Sequence, residues 1–101
     1  MATVETLPAL EAEPHAAVFS NEDPKTVRLS LDADERIEPH RHSGRDIVFY
    51  LVDGAVDLDI DDETHSLRAG DVARFEGERE ISPIARMPST VLLAPARRVD
   101  D

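Results

Sequence analysis

An all-β sandwich or barrel is the fold the sequence predicts, and three observations predict it. Short stretches of alternating apolar and polar residues recur along the chain, as half-buried strands require when successive side chains point to opposite faces. Turn chemistry separates these stretches at intervals of roughly eight to twelve residues. No stretch carries a sustained helical period. With 101 residues, a single domain is expected.

Residues 1–14, rich in Ala, Glu and Pro without a period, read as a mobile tail or a loosely docked lead-in. Residues 15–97 read as the folded domain and 98–101 as a polar end. Ala16-Ala17-Val18-Phe19 suits a short strand, and Asn21-Glu22-Asp23-Pro24 is turn chemistry in which the proline sets a boundary. Thr26 to Leu31 follows as a strand with Val27, Leu29 and Leu31 on one face. After a turn at Asp32-Ala33-Asp34-Glu35, the chain runs through Pro39 into His40-Arg41-His42 and then Ile47-Val48-Phe49-Tyr50-Leu51-Val52-Asp53-Gly54.

Asp-Gly between alternating apolar runs is a strong hairpin signal. A hairpin there pairs Val52 with Ala55, Leu51 with Val56, Phe49 with Leu58 and Ile47 with Ile60. Val56, Leu58 and Ile60 alternate with Asp57, Asp59 and Asp61, so the inward face is unambiguous. Ile47, Phe49 and Leu51 therefore face the core, and Asp46, Val48, Tyr50 and Val52 face outward. An outward face holding Val48, Tyr50 and Val52 needs a cover, either the N-terminal strand or a second copy of the chain in a homodimer. Further strands are expected at Glu63–Leu67, Val72–Phe75, Ile81–Ala85 and Thr90–Ala94. The turns between them fall at Asp61-Asp62, at Arg68-Ala69-Gly70-Asp71 with positive φ at Gly70, at residues 76–80, and around Met87-Pro88.

Composition narrows the function. The absence of cysteine removes disulfides, thiolate metal sites and thiol nucleophiles, so any metal must be held by histidine and carboxylate. A net charge of −11, from 22 acidic against 11 basic residues, repels nucleic acid and anionic lipid alike. No apolar run approaches the length of a membrane span and no signal-like start is present, so a cytoplasmic, soluble protein is expected. Lys25 is the only lysine, and the acids are scattered along the whole chain. That pattern points to a halophilic origin: dense carboxylates keep a surface hydrated, and their repulsion is tolerable when salt shortens the Debye length.

The chemistry gathers at His40 and His42. Their spacing puts both imidazoles on one side of an extended segment. His65 is expected to stand on its strand opposite Leu58, and His15 to be solvated in or beside the tail. Arg74 and Arg79 are candidates for an anionic ligand, with pairing to Glu76, Glu78 and Glu80 as the ordinary alternative. No Ser-His-Asp arrangement, phosphate loop or dinucleotide fingerprint is present.

Over roughly residues 26–95 the chain resembles the cupin superfamily of small double-stranded β-helix (jelly-roll) barrels. The first cupin motif runs from a glycine through His-x-His and a glutamate to a closing glycine. His40, His42 and Gly54 match it, with Asp34 at the place of the first glycine, where a turn aspartate tolerates left-handed geometry. The second motif runs from a glycine through Pro-x-Gly to a histidine, and Gly70-Asp71 matches its start.

A metal-using member shows three histidines and a glutamate. Here the glutamate position falls on Ile47 or, with the shorter spacing, on Asp46. The second-motif histidine position falls on Ile81 or, if Gly77 is the motif glycine, on Glu80. The resemblance therefore implies a pocket of His40, His42, Ile47, Phe49, Leu58, Phe75 and Ile81, with two readings of it. One is a small-molecule-binding or structural barrel, a homodimer with a degenerate metal site. The alternative is a metal-dependent enzyme, of dioxygenase or isomerase type, in which His40, His42 and one carboxylate, Asp46 or Glu80, hold a single Fe, Mn, Ni or Zn ion.

Two outcomes follow from charge and patterning. Dialysis from molar salt into dilute buffer is expected to weaken the far-UV CD signal, and an unchanged spectrum refutes the saline reading. Sedimentation at micromolar concentration and high salt is expected to show a dimer; an 11.2 kDa species alone counts against it.

Overall fold

The computed structural model describes residues 2–20 and 24–97. The expected turn residues 21–23 and the polar end 98–101 lie outside the described residues. A short 3-10 turn at Leu7–Ala9 is followed by strands β1 (His15–Ala17), β2 (Val27–Leu31), β3 (Arg45–Asp53), β4 (Ala55–Ile60), β5 (Glu63–Arg68), β6 (Val72–Glu76), β7 (Ile81–Ala85) and β8 (Ser89–Arg97). They form two antiparallel sheets, one ordered β1-β2-β8-β3-β6 and the other β5-β4-β7. This is an all-β sandwich, as the alternation and the turn spacing predict, and a jelly roll, as the resemblance implies.

The Asp53-Gly54 hairpin does not form. β3 pairs with β8 on one edge and β6 on the other, while β4 pairs with β5 and β7 in the opposite sheet. Both edges of β3 are occupied, so the chain cannot fold back beside it and instead turns a corner into the second layer. Gly54 serves that corner, not a two-residue turn. Its φ is 103°, and a Cβ there would lie 2.2 Å from the Ser89 hydroxyl oxygen and 2.7 Å from the Pro88 carbonyl oxygen. The buried Ser89 hydroxyl fastens the corner by accepting from the Ala55 N–H at 3.2 Å and donating to the Met87 carbonyl at 2.7 Å.

The face assignments nevertheless hold, because alternation along a strand does not depend on which strand lies beside it. Ile47, Phe49 and Leu51 are buried, as are Val56, Leu58 and Ile60. They meet across the sandwich, joined by Leu29, Leu31, Phe75, Ile81, Ala85 and Val91 in one core. Each large apolar side chain buried there contributes about 1.5–3 kcal/mol relative to exposure.

On the outer face of the larger sheet Val48, Tyr50 and Val72 remain 39%, 37% and 61% exposed. Among the described residues, none of the hydrogen bonds of the N-terminal lead-in is made to them. The lead-in docks at β2 instead, where the Ser30 N–H donates to the Pro14 carbonyl at 2.8 Å and the Arg28 guanidinium donates to the Ala12 carbonyl.

Asp34 and Gly70 adopt the expected left-handed backbone, with φ of 67° and 97°, and Asp61, in the expected turn after β4, does so as well at 54°. Residues 34–40, read as a connection, run along the edge of β7 opposite β4. There the Asp34 N–H donates to the Ala85 carbonyl at 2.8 Å, the Ile37 N–H to Pro83 at 3.0 Å and the His40 N–H to Ile81 at 3.0 Å.

The corner gives a direct test. Gly54→Ala forces a methyl group into the Pro88-Ser89 backbone at a strained φ, and is expected to destabilise the fold by about 2 kcal/mol or more. Urea unfolding measures this, and a midpoint equal to wild type refutes the corner assignment.

Candidate functional site

The site forms where β3 begins and residues 36–44 cross from one layer to the other. His40 is held by reciprocal backbone hydrogen bonds with Ile81, at 3.0 and 2.9 Å. Its Nδ1 lies 2.9 Å from the Glu38 carbonyl oxygen; a carbonyl only accepts, so Nδ1 carries a proton and donates it there. His42 is anchored through its N–H to the Gly77 carbonyl at 2.7 Å, while the Gly77 N–H donates to the Arg45 carbonyl at 2.7 Å. No other residue fits at position 77, since a Cβ would stand 1.9 Å from the His42 carbonyl oxygen. The two rings meet edge to face with centroids 4.8 Å apart. The same-side arrangement expected from their spacing is thus present.

A cavity of about 110 Å³ opens beside them. Its apolar wall comes from Val27, Ile47, Ile81, Leu93 and Pro95, and its polar lining from His15, Lys25, His40, His42 and Arg45. A larger hollow of about 420 Å³ adjoins it, shares Lys25, Arg45 and Pro95, and adds Arg97 at the rim.

His15 is the member of this group that sequence reasoning missed. It opens β1 and does not sit in the tail. β1 pairs antiparallel with β2 and places His15 opposite Leu29, at the exposed rim of the cavity. No local pattern marks this, since Ala16 is the buried residue of β1 while His15 and Ala17 are exposed, and nothing in the sequence marks β2 as the partner. Burial, and then the charge on His40, hold the His15 ring below the ordinary imidazole value. The same causes act on His42 in the same order, followed by Lys25, Arg45 and His15. Both rings are thereby biased toward the neutral form, in a cup that Lys25 and Arg45 also line.

The other expected site residues divide by location. Ile47 and Ile81 line the cavity with the two histidines, whereas Phe49, Leu58 and Phe75 belong to the packed core. Asp46 lies on the outward side of β3, where its carboxylate accepts from Arg74 at 2.9 Å. The Glu80 carboxylate lies 3.8 Å from the Arg41 guanidinium. Neither is among the residues lining the cavity. Arg79 pairs with Asp61, so Arg74 and Arg79 find aspartates from other strands in place of the neighbouring glutamates. His65 stands opposite Leu58 in the register, as expected, and contacts Glu63 at 3.2 Å.

The donor set can be compared with what a cupin metal needs. Three imidazoles border the cavity, yet among the described residues no group of three or more His, Asp or Glu side chains is gathered closely enough to hold an ion. As placed among the described residues, His40 and His42 are not joined by a third ligating side chain, whereas a His-and-carboxylate centre needs at least three.

The comparisons with known proteins agree with the fold. The cupin domain model matches residues 27–86, more than half of the chain, and the chain belongs to the cupin family. No curated protein matches the sequence. Among solved structures, KdgF from a Halomonas species superposes with a TM-score of 0.81 at 23% identity, covering 100% of this chain and 98% of that one. A predicted oxalate decarboxylase from Thermotoga maritima gives 0.83 at 16%, covering 95% and 100%. A protein from Thermus thermophilus gives 0.80 at 23%, covering 95% and 98%. At these identities the likeness establishes the fold alone. Among the described residues no helix is long and apolar enough to cross a membrane.

Proposed function

We propose that this cupin is a small-molecule-binding barrel whose His-x-His site has lost the ligand set for a metal. The observation that carries the reading is the placement of Ile47 and Ile81. Both stand in the cavity wall beside His40 and His42, and each is one of the two residues on which a cupin ligand position can fall, Ile47 or Asp46 for the glutamate and Ile81 or Glu80 for the third histidine. A hydrocarbon side chain has no electron pair to donate, so the change converts two ligand positions into apolar wall. Asp46 and Glu80, the carboxylates nearest those positions in sequence, are turned to Arg74 and Arg41. What remains is a concave, half-apolar cup with a few convergent polar groups, the usual form of a small-molecule site.

One observation favours a second reading, the metal-dependent cupin enzyme using His40, His42 and a carboxylate. The hydrogen bond from His40 Nδ1 to the Glu38 carbonyl is the type of outer contact that orients a ligating imidazole and leaves Nε2 toward the ion.

Elemental analysis of protein purified without chelator separates the two. The binding-barrel reading expects far less than one Fe, Mn, Ni or Zn per chain, unchanged in His40→Ala. Near-stoichiometric metal that His40→Ala and His42→Ala remove overturns it in favour of the enzyme.

A further inference from the structure

The cavity sits in a chain with twice as many acidic as basic residues, 22 against 11, yet among the described residues its lining contains no Asp or Glu. Among the described residues the adjoining hollow contains none either. Three of the four histidines and the only lysine of the chain converge there, together with Arg45. These residues come from separate places: His15 opens β1, Lys25 precedes β2, His40 and His42 lie on the crossing segment, and Arg45 opens β3. Tertiary structure has collected them, since no stretch of sequence holds them together.

We infer that the cup receives a small organic anion, a carboxylate on a short apolar body. Its charged end sits among His15, Lys25, His40, His42 and Arg45, and its body lies against Ile47, Ile81 and Leu93. This deepens the binding-barrel reading and rests on it.

Three physical arguments support the class of ligand. The long-range field of a protein with net charge −11 repels anions, so selective uptake needs a local reversal of sign. A concave site walled by low-dielectric side chains concentrates such a reversal. A carboxylate accepts from lysine and arginine N–H groups, which Lys25 and Arg45 bring to the lining. Finally, the apolar wall of Val27, Ile47, Ile81, Leu93 and Pro95 offers nothing to a fully hydrated inorganic anion. It removes water from a hydrocarbon body, which favours an organic acid over free phosphate.

Calorimetric titration of the full chain at one fixed ionic strength tests this, with butyrate and succinate, their amides butyramide and succinamide, and inorganic phosphate as probes. The acids are expected to bind at least tenfold more tightly than their amides and than phosphate. Lys25→Gln, at an exposed position, should weaken butyrate binding several-fold with the thermal midpoint unchanged. Amides binding as tightly as acids overturn the anion inference and leave the binding-barrel reading standing. Phosphate binding tightest overturns the organic part of the inference. No binding by any probe overturns the inference, and stoichiometric metal in the same preparation overturns the binding-barrel reading with it.

Discussion

The architecture depends on β3 having both of its edges hydrogen-bonded, to β8 on one side and β6 on the other. A central strand leaves no room for its own continuation in the same sheet. The chain must therefore leave the layer at Gly54, which can take the required φ and has no Cβ to collide with the Pro88-Ser89 backbone. From that corner β4 founds the second sheet, and Phe49 and Leu58 meet across the core instead of across a hairpin. The opposite end of β3 faces the same requirement in reverse. There the chain arrives from the second layer through residues 36–44, and its backbone is held by Ile81 and Gly77. The cavity is the space left where this crossing segment spans the mouth of the sandwich.

Strand positions and faces were legible in the sequence because both are local properties. The alternation of Val56, Leu58 and Ile60 with three aspartates assigns an inward face whatever the partner strand, so the core residues follow even though the expected pairing was wrong. Left-handed turn positions were legible for the same reason. An aspartate at position 34 can stand in for a motif glycine because its side chain tolerates φ near 67°. Pairing is a long-range property, and an Asp-Gly corner has the same sequence as an Asp-Gly hairpin. What separates them is whether the edge of β3 is free, and that depends on β6 and β8, which lie far along the chain.

The site was legible only in part, for a related reason. His40 and His42 come from one extended segment, so their shared side could be read from spacing. His15 joins them through the β1–β2 pairing, and Lys25 through the docking of the segment before β2; neither leaves a local trace. The carboxylates Asp46 and Glu80 were candidates by sequence distance, but β3 parity sends Asp46 outward toward Arg74, and Glu80 faces Arg41. Proximity in sequence to a ligand position does not confer the direction a ligand needs.

The arginines explain how an acidic chain keeps a positive cup. Arg36, Arg41, Arg74, Arg79 and Arg86 each face a carboxylate, in Asp59, Glu80, Asp46, Asp61 and Asp57 respectively. Bonding to Arg86 holds the Asp57 carboxyl below the usual carboxylate range. The Glu80 backbone N–H, and then Arg79, do the same for Asp61. As stability these exposed pairs are worth little, about 0–1 kcal/mol each, and salt weakens them further. Their larger effect is one of placement. Five acidic side chains are turned toward arginines, and among the described residues the cavity lining holds Lys25, Arg45 and three imidazoles with no acid among them. Charges inside a concave, partly apolar cup are screened less than those on an open face. In a saline medium that quiets the acidic exterior, the contrast between the cup and its surroundings therefore grows.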